Sequence, residues 1–142
     1  MVSEKWHRAS IRIISEKLKA EEIADTIGIE PTKIYEKGDP VTPRNPQGLI
    51  REFSACIYDS EVSKEEPFHE HLDDLIEFIE ENLEQFKQIS LICEIDIFCG
   101  LFSESEGGDV FKIDASLIRR LAAFPVDIEI HLYPPSLPEI AE

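Results

Sequence analysis

The chain has 142 residues, of which 42% are hydrophobic, and a formal net charge of −16. This length suits one domain with its own core, and the negative field disfavours nucleic acid and anionic lipid as partners. The apolar runs are far shorter than the roughly 20 residues that span a bilayer, and the N-terminal residues lack the apolar stretch of a signal peptide. We therefore expect one domain, residues 1–142, in the cytoplasm.

The first elements in chain order are a strand and a short helix. Ala9, Ile11 and Ile13 alternate with polar residues, which is the period of a half-buried strand. Apolar residues at helical spacing predict a helix over 19–27, ended by Gly28. Three elements follow in order: a strand over 33–36, a proline-containing loop over 39–48 and a strand over 49–58.

The strongest helical pattern extends over residues 67–88, with Pro67 suited to its first turn. Its apolar stripe consists of Phe68, Leu72, Leu75, Ile76, Ile79, Leu83 and Phe86. The elements predicted after this helix are a strand over 91–99, a polar loop over 103–109, a short strand over 110–113, a helix that begins after the N-cap Asp114, a strand over 126–133 and a proline-rich tail from about 134.

This order of elements predicts an α+β fold with a mainly antiparallel sheet and helices on one face. Its first six elements follow the βαββαβ pattern of a ferredoxin-like core, extended by a βαβ unit. The residues expected to be buried are Ile11, Ile13, Ile23, Ile27, Leu72, Leu75, Ile76, Ile79, Leu91, Ile95, Leu121, Ile128 and Ile130.

Three short segments resemble a known protein family. The segments IGIEPT (residues 27–32), KGD (37–39) and HL at the entry to the long helix (71–72) are similar in order and spacing to the bacterial family called domain of unknown function 4279. The resemblance covers roughly residues 8–133. It implies a compact bacterial α+β domain, and it brings no catalytic residues.

The cysteines and histidines indicate no metal, cofactor or disulfide. Cys93 and Cys99 lie six residues apart on one predicted strand, about 20 Å, which is too far to bridge, so all three cysteines are expected to be free. His69 and His71 point apart on a helix, and pairing either with Asp73 or Asp74 gives two ligands where zinc needs three or four. We interpret this cluster as a solvated helix face.

Two strands and one turn offer an alternative site for a small ligand or for catalysis. Carboxylates that share a strand face would converge if the strands over 94–96 and 127–131 were neighbours, as acid–base chemistry requires. These candidate residues are Glu94, Asp96, Asp127, Glu129 and His131. The turn over 37–39 could alternatively form a backbone nest for an anion. Polar residues on the open face of a sheet and an ordinary turn explain the same patterns without a function.

The distribution of charge is the strongest functional signal. Residues 52–142 hold 22 acidic and five basic residues, and between Glu61 and Glu84 there are ten acidic residues and only Lys64. A solvated face kept for solubility is one explanation. The alternative is a docking surface for a basic protein, centred on the polar face of the long helix at Glu77, Glu80, Glu81 and Glu84.

These observations favour a non-enzymatic acidic domain that binds a basic protein partner. An immunity- or antitoxin-like role fits, because inhibitors of basic nucleases gain fast association from such complementarity. The alternative is a small-ligand binder or an enzyme that uses the carboxylates of the strands over 94–96 and 127–131. The sequence indicates no cofactor and no membrane or nucleic-acid partner.

Overall fold

The computed structural model describes residues 7–102 and 110–133. In these residues, strands and helices follow one another in the order β1 (His7–Ser15), α1 (Ala20–Ile27), β2 (Lys33–Tyr35), β3 (Ser54–Asp59), α2 (Phe68–Glu81), α3 (Leu83–Ser90), β4 (Glu94–Phe102), α4 (Ala115–Ala122) and β5 (Asp127–Tyr133).

The strands form one sheet in the order β2-β3-β1-β4-β5. Strand β1 is central and antiparallel to both β3 and β4, and β2 is antiparallel to β3. Strands β4 and β5 are parallel, with α4 between them in the chain. The predicted α+β class with a mostly antiparallel sheet is confirmed, and the ferredoxin-like assignment of its core stays a prediction.

The helices lie on one face of the sheet. Alternate residues of β1, Ala9, Ile11 and Ile13, are buried in the same apolar cluster as side chains from all four helices. Because alternate side chains of a strand point to opposite faces, the residues between them, such as Arg12, lie on the face away from the helices. That open face and the helical face carry different groups of charged residues.

Helix α1 shows how local sequence sets an element boundary. Gly28 adopts the left-handed conformation with a φ of 82°, and its amide donates a hydrogen bond to the carbonyl oxygen of Ala24. Glycine reaches this conformation without the steric cost that other residues incur, so the helix ends where the sequence predicts. The segment that follows, residues 29–32, turns back toward β3.

The predicted helix over 67–88 is two helices that meet at Asn82. The Asn82 side-chain amide donates to the Phe78 carbonyl oxygen at 2.9 Å, and its backbone amide donates to Ile79 at 3.1 Å. Asparagine side chains compete with the helical backbone for hydrogen bonds in this way, which explains the break. The helical spacing of apolar residues continues across Asn82, so the sequence pattern does not show this boundary.

Three other predictions about elements need correction. The strand over 49–58 begins only at Ser54, and residues 110–113 are not a strand. The strand predicted over 91–99 is displaced, because Leu91 and Ile92 form the turn after α3 and β4 begins at Glu94. The predicted loop over 103–109 and the tail from 134 lie outside the described residues.

Most of the expected core is buried, and two of its members are not. Leu91 is 84% exposed because it lies in the turn that ends α3. Ile130 is 44% exposed because β5 is at the edge of the sheet, where the helices cover less of its surface. Ile128 on the same strand is half-buried against the core.

Candidate functional site

The first group of candidate residues lies on the open sheet face, and Arg12 organises it. Arg12 on β1 is the register partner of Asp96 on β4, and its guanidinium donates two hydrogen bonds to the Asp96 carboxylate at 2.7 and 2.8 Å. It also donates to Glu129 on β5 at 2.5 Å. The guanidinium carbon lies 4.9 Å from the centre of the Phe98 ring. We call Arg12, Asp96, Phe98, Glu129 and His131 the Arg12 cluster.

His131 completes the Arg12 cluster at the edge of the sheet. Its Nε2 lies 3.4 Å from a carboxylate oxygen of Glu129, and its ring centre is 4.6 Å from that of Phe98. Hydrogen bonds from Arg12 and His131 lower the pKa of Glu129, and the hydrogen bond to Asp96 raises the pKa of Arg12. The Glu129 carboxylate is therefore held in its ionised form by the neighbouring guanidinium.

The structure brings together three of the five residues of the alternative site. Asp96, Glu129 and His131 converge, whereas Glu94 lies toward one end of β4 and belongs to a different cleft. Asp127 is the register partner of Asp96, but it makes no ion pair with Arg12. Because Arg12 occupies the oxygens of Asp96 and Glu129, these carboxylates resemble a structural ion-pair network more than a poised acid and base.

The second group of candidate residues surrounds a cleft on the helical side, beside the end of β3. The cleft has a volume of about 330 Å³ and lies between α2, the end of β3 and the segment after α1. Six of its lining residues are acidic, and we call it the acidic cleft. Its lining residues are Ile29, Glu30, Thr32, Tyr58, Asp59, Glu61, Asp74, Leu75, Glu77, Phe78 and Glu81.

Hydrogen bonds across the acidic cleft fix the three segments relative to one another. The Tyr58 hydroxyl donates to the Ile29 carbonyl oxygen at 2.8 Å, and the Asp59 amide donates to the Thr32 hydroxyl at 2.9 Å. The Glu61 amide donates to the Asp74 carboxylate at 3.0 Å. The rim of the cleft is thus held by bonds between elements, and its aromatic and aliphatic lining is anchored in the core.

Among the residues that the structure describes, no lysine or arginine lines the acidic cleft. Glu77 and Glu81 lie one turn apart on α2, are exposed, and form no ion pair within the part of the chain that the structure describes. Like charges at this spacing repel each other mildly. Within the described ranges no ion pair involves an acidic residue of the cleft lining, so negative charge is concentrated at the cleft.

Of the four glutamates predicted as a partner surface, two line the acidic cleft and two do not. Arg120 of α4 binds Glu80 at 2.6 Å and Asp73 at 2.5 Å, and its hydrogen bond lowers the pKa of Glu80. Glu84 lies beyond the break at Asn82, on α3, and does not line the acidic cleft. Only Glu77 and Glu81 of the predicted set line the cleft.

The histidines of the predicted solvated cluster differ in environment. His69 is exposed, but His71 is buried. The Nδ1 atom of His71 lies 3.2 Å from the Ser60 hydroxyl, while its Nε2 has no hydrogen-bond partner among the described residues. Burial lowers the pKa of His71. The prediction of a solvated face is therefore wrong for His71, because the apolar stripe of α2 is wider than assumed. Within residues 7–102 and 110–133, no three histidine, cysteine or acidic residues are arranged to hold a metal ion.

The cysteines are free thiols, as predicted. Burial raises the pKa of Cys56 to about 11 and that of Cys99 to about 12, and it also raises the pKa of the half-buried Cys93. A thiolate is the reactive form of cysteine, so these thiols are inert near neutral pH.

The turn over 37–39 uses its amides internally. Gly38 adopts a φ of 94°, and its amide donates to the Arg51 carbonyl oxygen at 2.9 Å. The Asp39 amide donates to Glu36 at 3.2 Å. Amides that are already bonded cannot form a nest for an anion, so this segment is an ordinary turn.

Sequence reasoning missed Arg12 and part of the lining of the acidic cleft. Arg12 carries a usable signal, because it is a cation at an outward position of a strand that alternates apolar and polar residues. Glu30 and Asp59 carry none, because they come from different segments and only the fold brings them to one cleft. Glu61 is the first residue of the acidic run over 61–84.

The structure therefore defines a one-sheet α+β domain with an acidic cleft and an ion-paired open face. The family described as domain of unknown function (DUF4279) matches residues 4–135, nearly the whole chain, and the chain belongs to this family. No curated protein and no solved structure matches it. No helix among the described residues is long and apolar enough to cross a membrane.

Proposed function

We propose that this chain is a non-enzymatic binding domain that docks a basic protein partner through the acidic cleft. The observation that carries the proposal is the lining of the cleft, which includes six acidic residues and, in the described part of the chain, no basic residue. Lysine and arginine side chains of a partner supply the missing charges. Their aliphatic stems contact the apolar lining formed by Leu75 and Phe78.

The acidic cleft shares only part of the partner surface predicted from the sequence. Glu77 and Glu81 remain in it, and Glu30, Asp59, Glu61 and Asp74 join them. Glu80 is less available, because Arg120 already binds it. The negative field of this surface speeds association with a basic partner more than it slows dissociation, because the field acts at long range before the two proteins touch.

An immunity- or antitoxin-like role in a bacterium is the form of this function that the charge favours. A basic nuclease toxin presents lysine and arginine residues selected to bind phosphates, and an acidic cleft competes for the same side chains. This role is inferred from the charge of the surface and not from the fold class, which alone implies no function.

The alternative is a small-ligand or catalytic site in the Arg12 cluster. Asp96, Glu129 and His131 do converge there. However, catalytic carboxylates need free oxygens and a pKa suited to proton transfer, and Arg12 both occupies Asp96 and Glu129 and lowers the pKa of Glu129. We therefore favour the acidic cleft.

A lysine-rich decapeptide is a direct probe of the proposal. Fluorescence anisotropy should show binding that weakens steeply with salt, since the Debye length falls from about 10 Å at 0.1 M to about 3 Å at 1 M. The variant Glu77→Gln/Glu81→Gln should weaken binding roughly 2- to 30-fold, from about 0.2–1 kcal/mol per lost charge pair.

The matched control is Glu70→Gln/Glu84→Gln. It removes the same charge from exposed positions on α2 and α3 that lie outside the cleft lining. This control should bind the peptide almost as well as the unaltered protein. Equal weakening by both double variants would contradict the proposal, because it would show attraction to net charge and not to the cleft.

A further inference from the structure

The outer edge of β5 is open in the described part of the chain. Strand β5 pairs with β4 on one side and is last in the strand order of the described residues. Along residues 127–132 its other side therefore has no strand partner among them. Soluble proteins commonly protect such an edge with lysine, proline, a bulge or a very short strand. β5 has seven residues, none of them lysine or proline.

The side chains of β5 make this edge attractive for pairing. On the helical side Ile128 is half-buried, Ile130 is 44% exposed and Leu132 is 61% exposed. On the open face the strand carries Glu129 and His131. A partner strand would bury the three aliphatic side chains and extend the sheet.

The sequence of β5 is complementary to itself in one antiparallel register. With the two-fold axis at Ile130, Ile130 faces its own copy, Ile128 faces Leu132, and Glu129 faces His131. A shift that centres the axis on Glu129 places two carboxylates opposite each other, and a shift that centres it on His131 opposes two histidines. Opposite charges stabilise cross-strand pairs and like charges destabilise them.

We propose that two copies of this chain pair through β5 in that register and form a continuous ten-stranded sheet with two-fold symmetry. Such an interface is isologous, as in most soluble dimers. It lies at the edge of the sheet opposite β2 and is separate from the acidic cleft, which involves α2 and β3. The net charge of −16 opposes association, so the dimer strengthens as salt screens repulsion.

Disulfide trapping of the full chain tests the register. In a Cys93→Ser background, Ile130→Cys places two thiols at directly opposed positions, about 4.5–5.5 Å between Cα atoms, within the range of a disulfide. The control is Leu132→Cys. Leu132 is more exposed than Ile130, but in the proposed register it lies several residues from its own copy. The Ile130 variant should cross-link at least about tenfold faster, and mixed Ile128→Cys and Leu132→Cys chains should cross-link to each other.

Sedimentation velocity tests the dimer without a new cysteine. The unaltered chain should show more dimer as salt rises, whereas binding of a basic peptide at the acidic cleft should weaken, so the two proposals can fail separately. His131→Glu should reduce the dimer, and Ile118→Glu, at a comparably exposed position on α4, should not. A monomer at every concentration and salt, or equal cross-linking of the Ile130 and Leu132 variants, would overturn the proposal.

Discussion

The Arg12 cluster and the acidic cleft use the same residue types in opposite ways. In the Arg12 cluster two carboxylates converge on one guanidinium, with hydrogen bonds of 2.5–2.8 Å. Six acidic residues line the acidic cleft, and no lysine or arginine of the described ranges lies in the lining with them. The difference shows that acidic residues alone do not define a site. What matters is which carboxylates the fold leaves without a counter-charge.

The position of the few basic residues explains this difference. Arg12 on β1 neutralises the open face, and Arg120 on α4 neutralises one side of α2 through Asp73 and Glu80. Neither residue lines the acidic cleft. Repulsion within the cleft lowers stability slightly, and a basic partner would relieve it on binding.

The largest expected effect tests the helix that carries the cleft. Ile79 is fully buried on the core side of α2, so Ile79→Ala should lower the free energy of unfolding by about 2–5 kcal/mol. Leu75→Ala should have a comparable effect. The control Ile118→Ala, at an exposed position on α4, should change it by less than about 0.5 kcal/mol. Urea denaturation measures all three, and a small loss in both buried variants would refute the assigned core face of α2.

The next effect separates the structural carboxylates from the available ones. Arg12→Met should lower the free energy of unfolding by about 1–3 kcal/mol, because the part-buried Asp96 carboxylate loses the charged donor that satisfies both of its oxygens. It should leave binding of the lysine-rich peptide intact. Arg44→Met, in an exposed loop, is the control. An Arg12 variant of normal stability would show that the cluster has no structural role.

Local sequence patterns predicted the helices and strands well, but they did not predict which residues of different elements contact each other. The alternation in β1 and the glycine that ends α1 are encoded within a few residues, and both predictions are confirmed. The pairing of Arg12 with Asp96 joins residues 84 positions apart, so it depends on strand order. The break at Asn82 was missed because the apolar spacing continues across it, and a hydrogen bond of its side chain decides the outcome.

A smaller effect concerns the pH dependence of stability near α2. The unfolded chain protonates His71 at its ordinary pKa of 6.5, whereas burial lowers the pKa of His71 in the folded state. Below pH 6.5 unfolding therefore takes up a proton, and stability falls by at most about 1.4 kcal/mol per pH unit from this residue.

The matched variants for this effect are His71→Gln and the exposed His69→Gln. Thermal melts between pH 7.5 and 5.5 should be less pH-dependent in His71→Gln, and unchanged in His69→Gln. The same slope in both variants would show that His71 does not titrate differently in the two states.

The smallest effect compares neutralised and unneutralised glutamates on one helix. Glu77→Gln/Glu81→Gln should raise the free energy of unfolding by about 0.2–0.5 kcal/mol, since it removes repulsion at the C-terminal end of α2. Glu80→Gln should lower it by about 0.2–1 kcal/mol, because it removes the pair with Arg120. Chemical denaturation at low salt measures both, and changes of the same sign would contradict the distinction between the two groups.

Titration of ¹⁵N-labelled protein with the lysine-rich peptide tests the central claim most directly, because both acidic regions are observed in one experiment. We expect amide chemical shifts that saturate together at the acidic residues that line the acidic cleft. These are Glu30, Asp59, Glu61, Asp74, Glu77 and Glu81. Asp96 and Glu129 should shift little, since Arg12 already neutralises them. Shifts centred on β4 and β5, or spread evenly over the acidic residues, would contradict this claim.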